Sequence, residues 1–169
     1  MLTIHRPLAD DSGSVLVDGD RLAAVAPYEE LRAAHGERAR LREWPGRLVA
    51  GRHEPDAVRL LQALYWPDPR EADELGGGPL DADAVALTDT RRGASARRGL
   101  QRMLGRGVTA LAGPFTLAPV RGAVRRSGLL VGPAAGPLAP GARADFTVLT
   151  DDGGCAVTVL AGRLVHRRA

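Results

Sequence analysis

Short apolar segments separated by glycine-containing turns occupy both ends of this chain, and the middle follows a different pattern. Near the start, residues 14–17 and 21–25 flank Asp18-Gly19-Asp20, a sequence typical of a tight turn between antiparallel strands. A strand over residues 2–5 is expected to precede this hairpin. Near the end, three further strands are predicted, with glycine turns between them: residues 145–150, 155–160 and 163–166.

Between the hairpin and the middle, the sequence predicts one short helix and two strands. Pro27 and the two acidic residues after it are typical of a helix start, so a helix is expected over residues 28–34. Residues 39–44 and 47–51 are predicted as strands.

The middle of the chain has helical spacing interrupted by proline and glycine. Apolar residues at helical spacing predict a helix over residues 56–65, and two prolines just beyond it prevent continuation. Ser95 is interpreted as the N-cap of a second helix that runs to about residue 106. Three elements follow in alternation, which favours βαβ units with parallel pairing: a strand over 108–112, a helix over 118–126 and a strand over 129–131.

The size and composition are those of a soluble globular protein. The 169 residues fit one domain, or one domain with a small appendage, and 44% of them are hydrophobic and 25% charged. The chain has no run of about 20 apolar residues and no apolar signal core at its start, so we expect a cytoplasmic protein without a membrane span. Cys155, the single cysteine, is interpreted as a small buried side chain.

The positive charge of the chain comes from arginine alone. All 23 basic residues are arginine, against 20 acidic residues, and there is no lysine. The aromatic residues are few and scattered, which does not fit a base-stacking platform. Nucleic-acid binding is therefore not expected, although several arginines of the two middle helices leave it open as an alternative to solvated polar faces: Arg97, Arg98, Arg102, Arg106, Arg121, Arg125 and Arg126.

Three stretches, in this order, resemble the metal-dependent amidohydrolase superfamily, and specifically its imidazolonepropionase and cytosine-deaminase-like branch. Residues 15–25, with residues 44–51, are similar to the family's opening hairpin and to the run that leads into its barrel. Residues 99–110 resemble an early barrel helix and the strand after it. The most specific stretch, residues 136–149 with residues 157–165, resembles the family's closing strands and reads GPLAPGARADFTVL over its first part.

The resemblance implies an α+β fold with a composite domain. In that family the two chain ends form one β sandwich beside a (β/α)8 barrel, so residues 1–51 and 134–169 are expected to form the composite β-sandwich domain. Residues 52–133 are then a small α/β insert that is a remnant of the barrel. A closed barrel takes about 250 residues, and this insert has room for about two or three βα units.

The resemblance also implies a metal site, and the residues that would form it differ here. The family's His-x-His metal pair corresponds to Asp56 and Val58, and its bridging lysine, or in some members glutamate, has no lysine counterpart in this chain. A hydrolytic metal site needs several converging ligands and an open position for water. We therefore expect neither a metal nor another cofactor, since none of the four histidines are spaced as a ligand pair: His5, His35, His53 and His166.

His53, Glu54 and Asp56 are the candidates for a remnant polar site, because they stand where the family's metal pair would be. The competing interpretation is an exposed loop in which Asp56 caps the following helix. Thr88-Asp89-Thr90, followed by two arginines, is interpreted as a solvated turn, with anion binding near a helix start as the alternative. Catalytic residues stay unassigned.

Retained β-domain motifs beside missing metal ligands favour an imidazolonepropionase-like protein that is catalytically inactive and acts as an accessory or interaction subunit. The alternative is a residual metal-dependent hydrolase or deaminase that acts on C–N bonds of a small cyclic amide or nucleobase-like compound and is completed by a partner chain. A partial barrel leaves strand edges uncovered. The expected partners are therefore further copies of the chain, as a homo-oligomer, or a barrel-bearing hydrolase.

Overall fold

The computed structural model describes residues 1–9 and 13–168 and has a mixed α+β fold, which confirms the predicted class. The chain divides into two compact units. The first consists of Met1–Arg52, Leu104–Thr109 and Ala134–Ala169, and the second of His53–Met103 and Ala110–Pro133.

Short strands dominate the described residues. The strands in chain order are β1 Leu2–Pro7, β2 Ser14–Asp18, β3 Arg21–Ala26, β4 Arg40–Trp44, β5 Arg47–Ala50, β6 Arg52–Glu54, β7 Leu64–Tyr65, β8 Leu80–Asp81, β9 Val108–Leu111, β10 Leu130–Val131, β11 Phe146–Leu149, β12 Cys155–Leu160 and β13 Arg163–Arg167. The α-helices are α1 Tyr28–His35, α2 Ala72–Leu75, α3 Asp89–Leu104 and α4 Ala118–Ser127.

The first unit contains two four-stranded sheets. One has the order β3-β2-β1-β4, in which β4 runs parallel to β1 and the other pairs are antiparallel. The other has the order β13-β12-β11-β5 and is antiparallel throughout. The predicted hairpin and the three closing strands are confirmed, and β5 pairs with β11 from the other end of the sequence.

Apolar side chains of both sheets meet in one core. Alternate residues of a strand point the same way, so β2 contributes Val15 and Val17, and β11 contributes Phe146 and Val148. Cys155 is buried as predicted. The buried core residues on strands are Val15, Val17, Leu22, Trp44, Leu48, Phe146, Val148, Ala156, Val157 and Val159.

Asp145 joins the start of β11 to the turn between β12 and β13. Its Oδ1 accepts the Ala161 N–H at 2.7 Å, and its Oδ2 lies 3.2 Å from the Arg143 guanidinium in an ion pair without hydrogen-bond geometry. Burial raises the pKa of this carboxyl above its usual value, although the Ala161 N–H and Arg143 act in the opposite direction. Ala161 and Gly162 both have positive φ, of 49° and 73°, and a Cβ on Gly162 would lie 2.0 Å from the Gly19 carbonyl oxygen. The turn therefore requires glycine at 162.

Helix α1 covers the other face of the first sheet. Leu31 packs there with Ile4 and Leu16 in a second apolar cluster. The helix follows Pro27 and carries acidic residues in its first turn, as the sequence predicted. Favourable charge placement at the N-terminus and one buried leucine hold this short helix on the sheet.

The second unit contains the helices α2, α3 and α4. Strands β10, β9 and β6 form a three-stranded sheet in that order, and β10 runs parallel to β9. Since α4 connects these two strands, the predicted parallel βαβ unit is confirmed. Helices α3 and α4 are neighbours, because a Cβ on Gly93 would lie 3.7 Å from the Cβ of Pro119.

Within residues 1–9 and 13–168, no sheet closes into a barrel. None of the helices in this part of the chain combines the length and the apolar character that crossing a membrane requires.

The helix predicted over residues 56–65 is shorter than expected. It ends at Ala63, and its last residues, Arg59–Ala63, form a π-helix. Strand β7 replaces the predicted last turn and pairs with β8. The prediction was wrong at this end because Pro67 disfavours helical backbone at Trp66, so the chain is already extended before the proline.

Ser95 is not an N-cap, contrary to the prediction. Helix α3 begins at Asp89, and the Oγ1 of Thr88 accepts the Arg91 N–H at 3.3 Å. Thr88-Asp89-Thr90 is thus a helix start and not a solvated turn. Ser95 is buried in the middle of the helix, where its Oγ accepts the Trp66 N–H at 2.9 Å. A local capping pattern cannot predict a hydrogen-bond partner that is so distant in sequence.

Candidate functional site

The carboxyl ends of three strands stand at one edge of the sheet in the second unit. β9 and β10 are parallel. β6 runs in the same direction, because hydrogen bonds join Arg52 N–H to Gly107 O at 2.8 Å and, further along both strands, Ala112 N–H to Glu54 O at 3.0 Å. Ligand sites of α/β sheets lie at the carboxyl ends of parallel strands. We name this edge, formed by residues 53–56, 112 and 132, the carboxyl edge, and it is the candidate site.

His53 is tied to the neighbouring strand end. Its Nε2 lies 3.0 Å from the carbonyl oxygen of Gly132. A carbonyl oxygen only accepts hydrogen bonds, so Nε2 is the donor in this contact. The half-buried imidazole therefore connects β6 to the end of β10 through a hydrogen bond.

Glu54 and Asp56 are engaged by local contacts. The Oε1 of Glu54 accepts the Asp56 N–H at 3.0 Å. The Oδ2 of Asp56 pairs with the guanidinium of Arg59, 2.7 Å from Nε and 2.6 Å from Nη2. Asp56 contributes to the start of the following helix through its backbone, because its carbonyl oxygen accepts the Leu60 N–H at 3.0 Å.

The structure does not bring these three side chains to one point. His53 and Glu54 are consecutive strand residues, so they face opposite sides of the sheet. Among the residues that the structure describes, no group of three or more His, Cys, Asp or Glu side chains could hold a metal ion. Val58, at the second position of the family's ligand pair, has no donor atom. The donor set of a hydrolytic metal centre does not fit the residues present.

Gln62, which the sequence analysis did not single out, binds the backbone of the segment that leads into α4. Its Oε1 accepts the N–H groups of Thr116 and Leu117 at 2.7 and 2.9 Å, just before α4. Its Nε2 donates to the Oγ1 of Thr116 at 3.2 Å. An amide side chain thus satisfies N–H groups at a helix start, which are otherwise free to bind an anion.

A cluster of charged and aromatic side chains fixes the loop after β7. The Tyr65 hydroxyl donates to the Oε2 of Glu71 at 2.6 Å, and the Arg91 guanidinium lies 2.7 Å from Oε1 of the same carboxylate. Glu71 also accepts the Asp68 N–H at 2.9 Å, which completes a capping box over Asp68-Pro69-Arg70-Glu71. The hydrogen bond from Tyr65 is the main cause that lowers the pKa of Glu71 to about 2.

Arginines of α3 extend this cluster. Arg98 donates to the Trp66 carbonyl oxygen at 2.8 Å and lies 3.5 Å from Asp68, and the Arg102 guanidinium stands over the Trp66 ring. Arg91 holds Glu71 in place and is not available to an anion from solution, against the alternative raised for this segment. Burial raises the pKa of Tyr65, with the Glu71 hydrogen bond acting in the same direction. The only local sequence signal for this cluster is the Asp-Pro-Arg-Glu capping pattern.

A family comparison bears on the first unit, over β2, β3 and α1. Residues 15–37 match the imidazolonepropionase-like composite domain of bacteria. The resemblance inferred from the opening hairpin is therefore confirmed over these residues. The match to the composite domain ends before β4 and does not reach the carboxyl edge that holds His53, Glu54 and Asp56. No curated protein sequence matches the chain.

Several solved structures are similar to the chain at low identity. An adenosine deaminase from Xanthomonas campestris with bound zinc has 16% identity and a TM-score of 0.49, over 83% of this chain and 36% of that one. The A. niger ochratoxinase has 17% identity and a TM-score of 0.48, over 79% and 30%. A triazine hydrolase from Arthobacter aurescens has 16% identity and a TM-score of 0.43, over 75% and 33%. The chain thus spans about a third of the length of each.

Proposed function

We propose that this protein is a non-catalytic relative of the amidohydrolases that acts as an accessory or interaction subunit. The observation that carries the proposal is the state of the carboxyl edge. His53 is bonded to Gly132 O, Glu54 to the Asp56 N–H, and Asp56 to Arg59. These polar groups would have to converge on a metal or a substrate in an active enzyme. Here they form hydrogen bonds and an ion pair within the chain instead.

The arrangement of the first unit supports the same proposal. The two four-stranded sheets share one apolar core, and β5 is joined to β11 through four residue pairs. We take this to be the composite β sandwich, made from both ends of the sequence. Residues 52–133 then form the reduced barrel remnant, with one parallel βαβ unit at its centre. On this proposal the chain retains the β framework of the family and lacks the family's metal ligands.

Metal analysis of the purified full chain tests this proposal. We expect less than stoichiometric zinc, iron or manganese by mass spectrometry after exchange into metal-free buffer, and no saturable zinc binding by calorimetry. His53→Asn and His166→Asn form a matched pair, since only His53 lies at the carboxyl edge. A tightly bound stoichiometric metal that is lost with His53→Asn and kept with His166→Asn would overturn the proposal.

A second candidate function is a metal-dependent hydrolase or deaminase completed by a partner chain. It is favoured by the exposed edge strand β10, whose Leu130 and Val131 are 38% and 52% exposed. An enzyme of this kind would act on C–N bonds of a small cyclic amide or nucleobase-like compound. Tagged protein purified from its native cells distinguishes the two functions. The second requires a barrel-bearing hydrolase in the eluate and activity that neither chain has alone.

A further inference from the structure

One side of the second unit combines an open strand edge with uncompensated positive charge. β10 is the terminal strand in the sheet order β10-β9-β6. The Gly132 N–H bonds inward to Leu111 O at 2.9 Å. Because successive N–H groups of a strand point to opposite sides, the Val131 N–H and C=O point away from β9. Neither group has a backbone partner among the described residues.

The helical positions of Arg121 and Arg125 indicate on which side of α4 they lie. Pro119 of α4 faces Gly93 of α3. At 3.6 residues per turn, Arg121 and Arg125 lie about 200° and 240° around α4 from Pro119, on the side opposite α3. Since α4 joins β9 to the terminal strand β10 and α3 lies on its other side, we place this side of α4 next to β10. We name the surface formed by Arg121, Arg125, Leu130 and Val131 the α4–β10 edge.

The charge on the α4–β10 edge has no compensation within the described residues. Both arginines are exposed, and neither has an acidic side chain within ion-pair distance. Arg121 donates one hydrogen bond to the backbone oxygen of Thr116, which leaves its charge unpaired. Helix α4 carries no acidic residue at all. By contrast, Arg91 and Arg98 of α3 pair with acidic residues.

The composition of the α4–β10 edge distinguishes between partners. A second copy that paired β10 with β10 would bring the arginines of two α4 helices together, which is unfavourable. Nucleic acid fits poorly, because α3 and α4 contain no aromatic residue for base stacking and the strand beside them is apolar. Arginine next to exposed apolar side chains is typical of protein interfaces.

We propose that the α4–β10 edge binds an extended segment of a partner protein in which acidic and apolar residues alternate. The segment adds as a strand to β10, with its backbone bonded to Val131, its acidic side chains facing Arg121 and Arg125, and its apolar side chains on the other face of the sheet. This inference rests on the proposed accessory role and names the chemistry of the partner.

Peptide binding to the full chain tests the inference. The probe is a ten-residue fluorescein-labelled peptide of alternating glutamate and valine, and binding is measured by fluorescence anisotropy. We expect saturable binding, with Kd raised about tenfold or more by the double variant Arg121→Glu/Arg125→Glu. The matched control is Arg38→Glu/Arg163→Glu, which changes net charge equally at two exposed arginines elsewhere. It should leave Kd within about twofold.

Backbone-modified peptides test strand addition without altering the protein. Methylation of alternate backbone nitrogens along one edge of the peptide removes the N–H donors of that edge only. We expect one of the two methylated peptides to lose binding and the other to keep it, because a strand pairs with β10 through a single edge. Equal binding of both methylated peptides, or equal weakening by the two double variants, overturns the inference.

Two further experiments test whether RNA or a second copy of the chain binds the α4–β10 edge instead. Metal content distinguishes failure of this inference from failure of the proposed function. Tighter binding of an oligouridine RNA than of the peptide, or a wild-type dimer in sedimentation velocity that the peptide does not dissociate, also overturns it. A stoichiometric metal with hydrolase activity contradicts the accessory role but not the peptide result. Failure of peptide binding in a metal-free, inactive chain contradicts the inference alone.

Discussion

The indole Nε1–H of Trp44 donates a hydrogen bond to Nδ1 of His5, 3.0 Å away, inside the core of the first unit. The two rings stack at 5.9 Å, and Phe146 meets His5 edge-on at 4.9 Å. Protonation of Nδ1 would break the bond to Trp44. Burial, with a smaller contribution from Arg42, lowers the pKa of His5 from 6.5 to about 4.

This lowered pKa predicts an acid-sensitive core. Between pH 6.5 and about 4 the unfolded chain binds a proton at His5 that the folded chain does not, so stability falls as pH falls through this window. The full effect is on the order of 3 kcal/mol. His5→Gln offers Trp44 an acceptor that does not titrate, and should flatten this part of the pH dependence in urea unfolding. His166→Gln is the control, and an equal slope in both variants would contradict the prediction.

The β12–β13 turn contains two adjacent residues with opposite expected responses. Ala161 has a left-handed φ of 49°, which glycine adopts without strain. Ala161→Gly should therefore raise the free energy of unfolding by roughly 0.5 kcal/mol, the relief of strain less the added entropy of the unfolded chain. Gly162→Ala should lower it by about 3 kcal/mol, because the new Cβ overlaps the Gly19 oxygen. Chemical denaturation measures both, and equal effects would refute the assigned geometry.

Two glycines of α3 form a second matched pair. A Cβ on Gly99 would lie 2.7 Å from Nε1 of Trp66 and 2.8 Å from Cδ2 of Leu61. Gly99→Ala should therefore cost about 1–3 kcal/mol in stability. At Gly93 the nearest atom is 3.7 Å away, so Gly93→Ala should gain up to about 1 kcal/mol from helix propensity. Thermal unfolding of the two variants checks this, and the prediction fails if Gly99→Ala is neutral.

Arg91 is predicted to protect the loop that Glu71 caps. Arg91→Leu leaves the Glu71 carboxylate with only Tyr65 and the Asp68 N–H as partners. Limited trypsin digestion should then cleave after Arg70 several-fold faster, as read by mass spectrometry. Arg92→Leu is the control on the same helix, because the Arg92 side chain has no ion pair within residues 1–9 and 13–168. Equal cleavage of the two variants would show that the Glu71 cluster does not order the loop.

The folded pKa of Glu71 sets the pH range of this protection. Its value of about 2 lies below the ordinary 4.5, so the carboxylate favours the folded state above pH 4.5 and that contribution is lost as pH falls through about 2. Digestion at neutral pH therefore measures the cluster with Glu71 ionised.

Most strands at the two chain ends could be predicted from sequence because their signals are local. The Asp18-Gly19-Asp20 turn and the glycine turns after β11 and β12 interrupt apolar runs within a few residues. The apolar runs of β2 and β12 are continuous because both faces of these strands are buried. The α4 boundaries were equally local, with a proline near the start and Gly128 at the end.

The contacts that decide the candidate site could not be predicted in this way, because their partners are distant in sequence. His53 bonds to Gly132, and Gln62 reaches residues 116 and 117. Ser95 looked like a cap because serine favours that position, whereas its hydroxyl is used by Trp66. Sequence reasoning named His53, Glu54 and Asp56 from the family resemblance, but not which groups satisfy those side chains.

The pairing of β5 with β11 has a consequence for the order of folding during synthesis. Arg47–Ala50 leaves the ribosome long before Phe146–Leu149, its partner across the sheet. Closing so long a loop costs conformational entropy that grows with the logarithm of its length, and non-local pairing of this kind slows folding. The second unit lies between the two strands in sequence, so its residues are all synthesised before the first unit can be completed. A nascent chain stalled before β11 would expose the apolar face of β5 to chaperones.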